Sequence, residues 1–245
     1  MSHDGSAPTA DPPRRKFPLW LETILLLVLA IVLAVGVKTF FVQAFYIPSG
    51  SMRPGLVIND RIMVQKVSYW GGDGPDRGEI VVFEDPGGWL EGAPAGPTNN
   101  LTKLLAKIGL FPTGGHLVKR VIGVAGDTVH CCDDEGRLEI NGVAVDEDDF
   151  IAPRRECDGP MPSGCRNDWD AEVPAGELFV MGDNRSASAD SSARLCGEDE
   201  RNCDPGDAFV PVDLVVGKVF ALVWPLDNFR LIGTPDAFDK VPDAS

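Results

Sequence analysis

The stretch HLVKRVIGVAGDTVHC, from His116 to Cys131, contains two short runs rich in β-branched residues, HLVKRVIGV and DTVHC. β-Branched side chains favour extended strands, because they pack well on a pleated surface. Gly126 lies between the two runs, as is typical of a turn residue. The stretch therefore predicts two short strands that follow one another along the chain.

Runs of the same kind flank this stretch on both sides: RIMVQKV, GEIVVF, RLEINGVAV, GELFVM and LVVGKVFALVW. Gly, Pro and Asp separate them, and the Asn141–Gly142 pair in INGV is a strong signal for a β-hairpin. Outside the N-terminal region, only NNLTKLLAKIGL has the periodicity of a helix. We expect a mainly β, mostly antiparallel sheet domain with two long inserted loops, about 85–115 and 146–174, that decorate one compact core.

An apolar segment, FPLWLETILLLVLAIVLAVGV, precedes these runs and lies between Arg14-Arg15-Lys16 and Lys38. Its length matches the roughly 20 residues that a membrane-spanning helix needs. A cleaved signal peptide has a shorter apolar core of about 7–15 residues, so we interpret the segment as a retained anchor. Because basic residues precede it, we expect a cytoplasmic tail at 1–16, a transmembrane helix at 17–38 and an extracytoplasmic domain at 39–245.

The 245-residue chain has a formal net charge of −15. This charge argues against binding to nucleic acid, which requires clustered Lys and Arg to contact phosphates. The acidic runs DEDDF and GEDER are typical of solvated loops, and we assign no function to them.

Six cysteines in an extracytoplasmic domain predict disulfides. Cys157–Cys165 and Cys196–Cys203 are the favoured pairs, because each would close a short loop rich in Gly, Pro, Asp or Asn. Cys131 and Cys132 are adjacent, with Cα atoms about 3.8 Å apart, which is below the usual minimum of about 4.4 Å for a disulfide. We therefore expect these two to stay reduced or to pair elsewhere. The chain has no C-x₂-C spacing, so we expect no metal site.

The turn FYIPSGSMRPG, from Phe45 to Gly55, places two serines one glycine apart between two prolines. A serine hydroxyl attacks a carbonyl only when a base removes its proton. On the expected outer side of the membrane, the candidate bases are His116, His130 and Lys119. Neither histidine lies in a recognisable acyl-transfer context, and burial in an apolar strand would lower the pKa of the lysine. From its own segment alone, Lys119 is better explained as a charged residue that points out of an ordinary strand.

Four motifs resemble, in order, the conserved boxes of the bacterial type I signal peptidases: PSGSMRP, RGEIVVF, KRVIGVAGD and GDNRSASADS. These membrane-bound enzymes use a Ser/Lys dyad. The resemblance covers the apolar segment, the four boxes and the closing VPVDLVVGKVFALVWP, whereas the long inserts lie outside it. It implies that Ser51 is the nucleophile and Lys119 the general base. It further implies that the Ser49 hydroxyl and the Ser51 backbone N–H form the oxyanion hole, and that Ser188 orients the lysine.

The resemblance also implies supporting polar residues at Asp190, Arg120 and Arg185. One position departs from the family pattern, since the family usually has Asp-Ser-Arg where this chain has DSSAR. Arg194 is therefore displaced along the chain. Either the loop takes a different path, or the ion pair at Asp190 is replaced by other contacts.

Signal peptides carry small residues before the cleavage site, so shallow apolar subsites are expected. By the resemblance, the substrate peptide lies extended and pairs with a strand through its backbone. We expect it to contact Ile47, Pro48, Met52, Leu56, Ile62, Leu117 and Val118. For Leu56 and Ile62, packing in the core is the alternative.

The expected activity is removal of signal peptides from translocated preproteins through an acyl-enzyme, without metal or cofactor. The expected location is the bacterial plasma membrane, with contacts to the lipid bilayer and proximity to the protein translocation machinery. Two alternatives remain at this stage. One is a self-cleaving Ser/Lys peptidase of the SOS-repressor type, and the other is a non-catalytic, membrane-tethered β module that binds extended peptides.

Overall fold

A computed structural model of the chain describes residues 18–72, 74–90, 115–152, 169–197 and 203–244. Several expectations lie outside these ranges. They are the tail at 1–16, the helix in NNLTKLLAKIGL, the Cys157–Cys165 pair and most of both inserted loops.

The first element is the helix α1, Leu19–Phe40, which has 22 residues. Its stretch Leu19–Gly36 has a mean hydropathy of 2.6, and none of it is buried against the rest of the protein. At about 1.5 Å per residue, a helix of this length spans about 33 Å, slightly more than the apolar thickness of a bilayer. Among the described residues, this is the one helix long and apolar enough to cross a membrane.

The other regular structure of the described ranges is β-strand and short 3₁₀ turns. In chain order the strands are β1 Val42–Tyr46, β2 Arg61–Gln65, β3 Ile80–Glu84, β4 His116–Gly123, β5 Thr128–Cys131, β6 Leu138–Ile140, β7 Val143–Ala144, β8 Trp169–Glu172, β9 Glu177–Met181, β10 Val210–Pro211, β11 Val215–Trp224 and β12 Arg230–Leu231. Every strand pair is antiparallel. The predicted fold class, a mostly antiparallel β domain after one apolar helix, is therefore confirmed.

The strands form two sheets. The larger has the order β1-β2-β11-β3-β4-β9-β10, with β12 paired to β11, and the smaller has the order β7-β6-β5-β8. The predicted hairpin joins β6 to β7, where Ile140 pairs with Val143. Asn141 and Gly142 form its two-residue turn with φ values of 54° and 76°. Both residues are left-handed, as a type I′ turn requires, which explains why Asn-Gly is found there.

The loop expected at 146–174 contains a core strand, so that part of the prediction is wrong. Strand β8 pairs along its whole length with β5. The side chains of Trp169, Ala171 and Val173 are buried, and those of Asp170 and Glu172 are exposed. This alternation in WDAEV is the sequence signal for a half-buried strand. The acidic surroundings obscured it.

Two disulfides are present among the described residues. Cys196 and Cys203 are bonded with their Cα atoms 5.5 Å apart. Cys131 and Cys132 are bonded to each other, contrary to the expectation that they stay reduced or pair elsewhere. That expectation assumed a trans peptide. The peptide between them is cis, and their Cα atoms are 3.0 Å apart.

Candidate active site

The turn at residues 47–55, which we call the serine turn, follows directly on β1. Backbone hydrogen bonds close the loop that contains it: Ile47 N–H donates to Asp60 O at 2.9 Å, and Leu56 N–H donates to Met52 O at 2.8 Å. The side chains of Ile47, Met52 and Leu56 are buried in one apolar cluster with strands β2, β3 and β11. Because three apolar side chains fix this short turn, its serines have little freedom to move.

Lys119 lies in the middle of β4, and its Nζ is 2.8 Å from Ser51 Oγ. The two residues are 68 positions apart in the sequence, so only the fold can bring them together. Both are buried, with 4% of Lys119 and 7% of Ser51 exposed. The structure therefore places the expected base beside the expected nucleophile.

The pKa of the Lys119 amine is lowered from its ordinary value, and burial is the largest cause. The charge of Arg194 lowers this pKa further, whereas the carboxylates of Asp190 and Asp183 oppose the shift. A buried ammonium loses most of its hydration, so the neutral amine is favoured. A neutral amine has a free lone pair that can accept the Ser51 proton.

The histidines lie elsewhere. His116 is at the start of β4, where its ring centroid is 5.1 Å from that of Phe45. His130 is on β5 in the smaller sheet, and its Nδ1 is 2.9 Å from Asp170 Oδ1. The side chain in contact with Ser51 Oγ is thus the lysine and not an imidazole.

Ser49 reaches the same atom from the open side of the serine turn. Its Oγ is 3.2 Å from Ser51 Oγ. Ser49 is exposed, so its hydroxyl can also turn towards a bound molecule. The structure thus brings together three of the expected site residues, Ser49, Ser51 and Lys119.

Ser188 does not make the hydrogen bond to Lys119 that the resemblance implies. Its Oγ is buried and has no hydrogen-bond partner among the described residues. The hydroxyl lies against Gly182 instead. A Cβ atom at position 182 would overlap both Ser188 Oγ and the Ser51 carbonyl oxygen. Glycine at 182 therefore allows the serine turn and Ser188 to pack against the same backbone.

Asp190 is buried, and its carboxylate accepts hydrogen bonds from backbone N–H groups and from a hydroxyl group. Its Oδ2 accepts from Gly182 N–H at 2.8 Å. Its Oδ1 accepts from Ser192 Oγ at 2.6 Å and from Ser192 N–H at 3.2 Å. The displaced Arg194 stacks over the Trp89 ring instead, 4.8 Å from its centroid. The sequence left open whether the loop takes a different path or Asp190 has a different partner. In this structure Asp190 has a different partner, which is Ser192.

Two buried ion pairs hold the segment after β9. Arg120 Nε and Nη2 donate to the two carboxylate oxygens of Asp183 at 2.8 and 2.7 Å. Arg185 forms a similar two-pronged pair with Glu147, and its Nε donates to Gly182 O at 3.1 Å. Sequence reasoning selected the arginines and missed both acidic partners. Asp183 could have been found from its position in GDNR, but Glu147 lies in a region with no recognisable motif.

Asn184 was also missed. Its backbone N–H donates to Ser51 O at 2.9 Å, and its side-chain Nδ2 donates to Gly50 O at 3.0 Å. The residue follows Asp183 in the same GDNR motif, which was the only available signal. It connects the segment after β9 directly to the serine turn.

Most of the expected substrate contacts are core side chains. At most 2% of Ile47, Met52, Leu56 or Ile62 is exposed, and Leu117 is buried as well. These side chains fill the apolar clusters beneath the serine turn and around β4, so they present almost no surface to a ligand. Pro48 is exposed and Val118 is half-buried. Of the expected set, only these two side chains offer a contact surface in this structure.

Comparison with known proteins gives matches over most of the chain. The family model "Signal peptidase, peptidase S26" matches residues 20–224. Signal peptidase I of Mycobacterium tuberculosis (strain CDC 1551 / Oshkosh) is 37% identical over 246 residues, with 94% of this chain and 81% of the relative covered. Signal peptidase I of Leptolyngbya laminosa is 32% identical over 231 residues, with 94% of this chain and 92% of the relative covered.

Among solved structures, a signal peptidase I from Enterococcus faecalis V583 aligns with a TM-score of 0.35 and 24% identity. The alignment covers 60% of this chain and 97% of that one. The argument for the family rests on the family model and on the relatives that are more than 30% identical. The chain therefore belongs to the signal peptidase family, peptidase S26, and is a serine endopeptidase of the signal peptidase I type.

Proposed function

We propose that the chain is a membrane-anchored endopeptidase that removes signal peptides from translocated preproteins with a Ser51/Lys119 dyad. The observation that carries the dyad is the 2.8 Å distance between Ser51 Oγ and the buried Lys119 Nζ. A buried amine with a lowered pKa next to a hydroxyl is the arrangement that nucleophilic catalysis by serine requires.

The reaction proceeds through two tetrahedral intermediates. Ser51 Oγ attacks the scissile carbonyl carbon while Lys119 Nζ takes the hydroxyl proton. The resulting ammonium gives this proton to the leaving amine, the C–N bond breaks, and an ester to Ser51 remains. Lys119, neutral again, takes a proton from water, whose oxygen attacks the ester carbonyl. The ammonium then gives this proton to Ser51 Oγ as the ester C–O bond breaks, which frees Ser51 and releases the new carboxyl group. The same amine thus serves as base and acid in each half-reaction.

The oxyanion of each intermediate needs donors that are already in position. The Ser51 backbone N–H and the Ser49 hydroxyl are the proposed donors. Support comes from the exposure of Ser49 and from its 3.2 Å distance to Ser51 Oγ, which puts its hydroxyl next to the reacting carbonyl. Loss of one such donor typically lowers kcat about 10²- to 10³-fold.

The substrate peptide is proposed to add as a strand beside the first half of β4. Strand β9 pairs with β4 only from Arg120 onwards. Among the described strands, none pairs with Leu117, Val118 and Lys119 on the edge of β4 that faces away from β3. An extended peptide can pair with the backbone there and direct its carbonyl towards Ser51. Leu117 and Val118 would then act through their backbone.

The anchor proposal rests on α1 and on the sheet edge next to it. One residue, Phe41, separates α1 from β1. Among the described residues outside α1, the exposed large apolar side chains are on this edge or the adjoining turns, and none belongs to the smaller sheet. They are Phe41, Tyr46, Ile58, Trp70, Trp224, Leu226, Phe229 and Leu231. Such side chains favour a membrane interface. With the N-terminus cytoplasmic, this edge would lie on the outer surface of the bacterial plasma membrane, where a translocated preprotein emerges and where the translocation machinery is close.

The test is cleavage of a preprotein in detergent by the wild type, Ser51→Ala and Lys119→Ala. We expect each variant to lose at least about three orders of magnitude in kcat, because the two groups act as one unit. Lys240→Ala is the matched control, since Lys240 is exposed, and it should cleave like the wild type. Full activity of Lys119→Ala would disprove the dyad, and full activity of Ser51→Ala would disprove Ser51 as the nucleophile.

A further inference from the structure

Asn184 holds two consecutive carbonyl groups of the serine turn, those of Gly50 and Ser51. Its backbone N–H donates to Ser51 O at 2.9 Å, and its amide Nδ2 donates to Gly50 O at 3.0 Å. The orientation of the amide is set by chemistry, because a carbonyl oxygen only accepts and must therefore face the NH₂ group. Ser186 Oγ donates to the other end of the amide, Oδ1, at 3.2 Å.

The Gly50 carbonyl and the Ser51 N–H belong to the same peptide unit. A peptide unit is planar, so a hydrogen bond that fixes its C=O also fixes the direction of its N–H. A donor on the carbonyl also polarises the amide and strengthens its N–H as a donor. A bond to Gly50 O therefore acts on the N–H that the proposed reaction assigns to the oxyanion.

The residues on either side of Asn184 are held rigidly. Asp183 is paired with Arg120, and Arg185 with Glu147, and both pairs are buried. Ala187 N–H donates to Asn184 O at 2.9 Å and closes a turn around the residue. An amide on such a fixed backbone keeps its position when substrate charge develops, and this is the condition for preorganised stabilisation.

We propose that Asn184 is a positioning residue that fixes the Gly50–Ser51 peptide plane and so directs the Ser51 N–H at the oxyanion. This inference rests on the proposed function, since it gives the N–H a role in that reaction. It makes a specific claim about the rate. Loss of the amide donor should weaken transition-state binding and leave substrate binding unchanged.

The decisive variant of the full-length enzyme is Asn184→Asp, assayed at alkaline pH where the new carboxylate is ionised. It has almost the same shape, keeps the backbone bond to Ser51 O, and replaces the shorter of the two donors to Gly50 O with an acceptor, while the Arg53 N–H at 3.3 Å remains. We expect kcat to fall about 10- to 100-fold and KM to change less than about twofold, because the oxyanion donor is misdirected but not removed. Asn228→Asp, at an exposed position on the 3₁₀ turn after β11, is the matched control and should cleave like the wild type.

A peptide aldehyde provides the second readout, because its adduct with Ser51 imitates the tetrahedral intermediate. Its affinity should fall by the same factor as kcat/KM. A residue with a purely structural role would change the thermal unfolding temperature without this match. Equal kcat and equal aldehyde affinity in Asn184→Asp would overturn the inference while leaving the proposed function intact, whereas an inactive wild type would overturn both.

Two further variants cover failure of Asn184→Asp to fold. Asn184→Ala deletes the donor without adding charge and should give the same fall in kcat. Ser186→Ala leaves Asn184 in place and removes only the hydroxyl that holds its amide. We expect that variant to lose about two- to tenfold in kcat, in line with one hydrogen bond of about 0.5–1.5 kcal/mol. An unchanged kcat in Ser186→Ala, with no folded variant at 184, would also count against the inference.

Discussion

Lys119 places an amine in an apolar environment, where burial opposes its charged form. Its amine is buried on β4, and burial lowers its pKa from the ordinary value. The apolar strand around it is visible in the sequence, but only the resemblance to the signal peptidases favoured a base over a lysine that points outwards. The bond that Ser188 fails to make could not be predicted, since motif spacing does not determine which way a hydroxyl turns.

The pH dependence of kcat/KM should report the protonation of the Lys119 amine and the effect of the Arg194 charge on it. Because the proposed reaction needs the neutral form, kcat/KM should rise with pH through the lowered pKa of Lys119, below the ordinary value of about 10.4. The positive charge of Arg194 contributes to the lowering. Arg194→Gln should therefore move the rising limb to higher pH, and the charge-conserving Arg194→Lys should move it less. A limb that stays in place in Arg194→Gln would contradict this electrostatic role.

The same amine predicts a pH-dependent stability. Between the lowered pKa of folded Lys119 and about 10.4, the unfolded chain binds more protons than the folded one, so the free energy of unfolding rises with pH in that window. Lys119→Met keeps the length and removes the charge. This variant should not cleave, and its thermal unfolding temperature at pH 7 should be higher than that of the wild type. The difference between the two unfolding temperatures should be much smaller at about pH 10.5. Lys240→Met should show no such trend, and a Lys119→Met protein less stable than the wild type at pH 7 would contradict the prediction.

At the scale of elements, the site depends on the segment after β9 and on the ion pair that joins this segment to the loop after β7. The segment bonds to the serine turn through Asn184, and Arg185 ties it to Glu147. The GDNR motif predicted that this segment belongs to the site. Glu147 could not be predicted, because its importance comes from burial in the fold and its sequence context resembles an acidic surface loop.

Glu147→Ala should therefore act at a distance from the dyad. It leaves the buried Arg185 guanidinium without its carboxylate, and removal of one partner of a buried pair costs about 3–5 kcal/mol. We expect a clearly lower thermal unfolding temperature, and Asp148→Ala at the exposed neighbouring position should leave it unchanged. The double variant Glu147→Leu with Arg185→Met should regain much of the loss, because neither charge of this pair then remains buried. Equal stability of Glu147→Ala and the wild type would show that the pair has no role in the fold.

At the scale of the whole molecule, the apolar surface is asymmetric. Outside α1, the exposed aromatic side chains are just after the end of that helix and along the β1-β2-β11-β12 edge, while the described part of the smaller sheet has none. The sequence predicted the helix and the anchor from the length and hydropathy of one segment. It could not predict the edge, because Trp224 on β11 lies beside β2, and through β2 near β1, only by strand pairing.

This edge can be tested separately from the dyad. Phe229 and Leu231 are 61% and 74% exposed, so replacing both with Ser should change stability by no more than about 0.5 kcal/mol per site. If the edge rests on lipid and holds the serine turn at the surface, the double variant should cleave a preprotein in vesicles several-fold more slowly. It should cleave a short soluble peptide in detergent at the wild-type rate, because that reaction needs only Ser51, Lys119 and the free edge of β4. Asp134→Ser, exposed beside the smaller sheet, is the control and should leave both rates unchanged. An equal loss on both substrates would mean that the edge supports the catalytic site itself, and no loss on either would mean that α1 alone sets the distance to the bilayer.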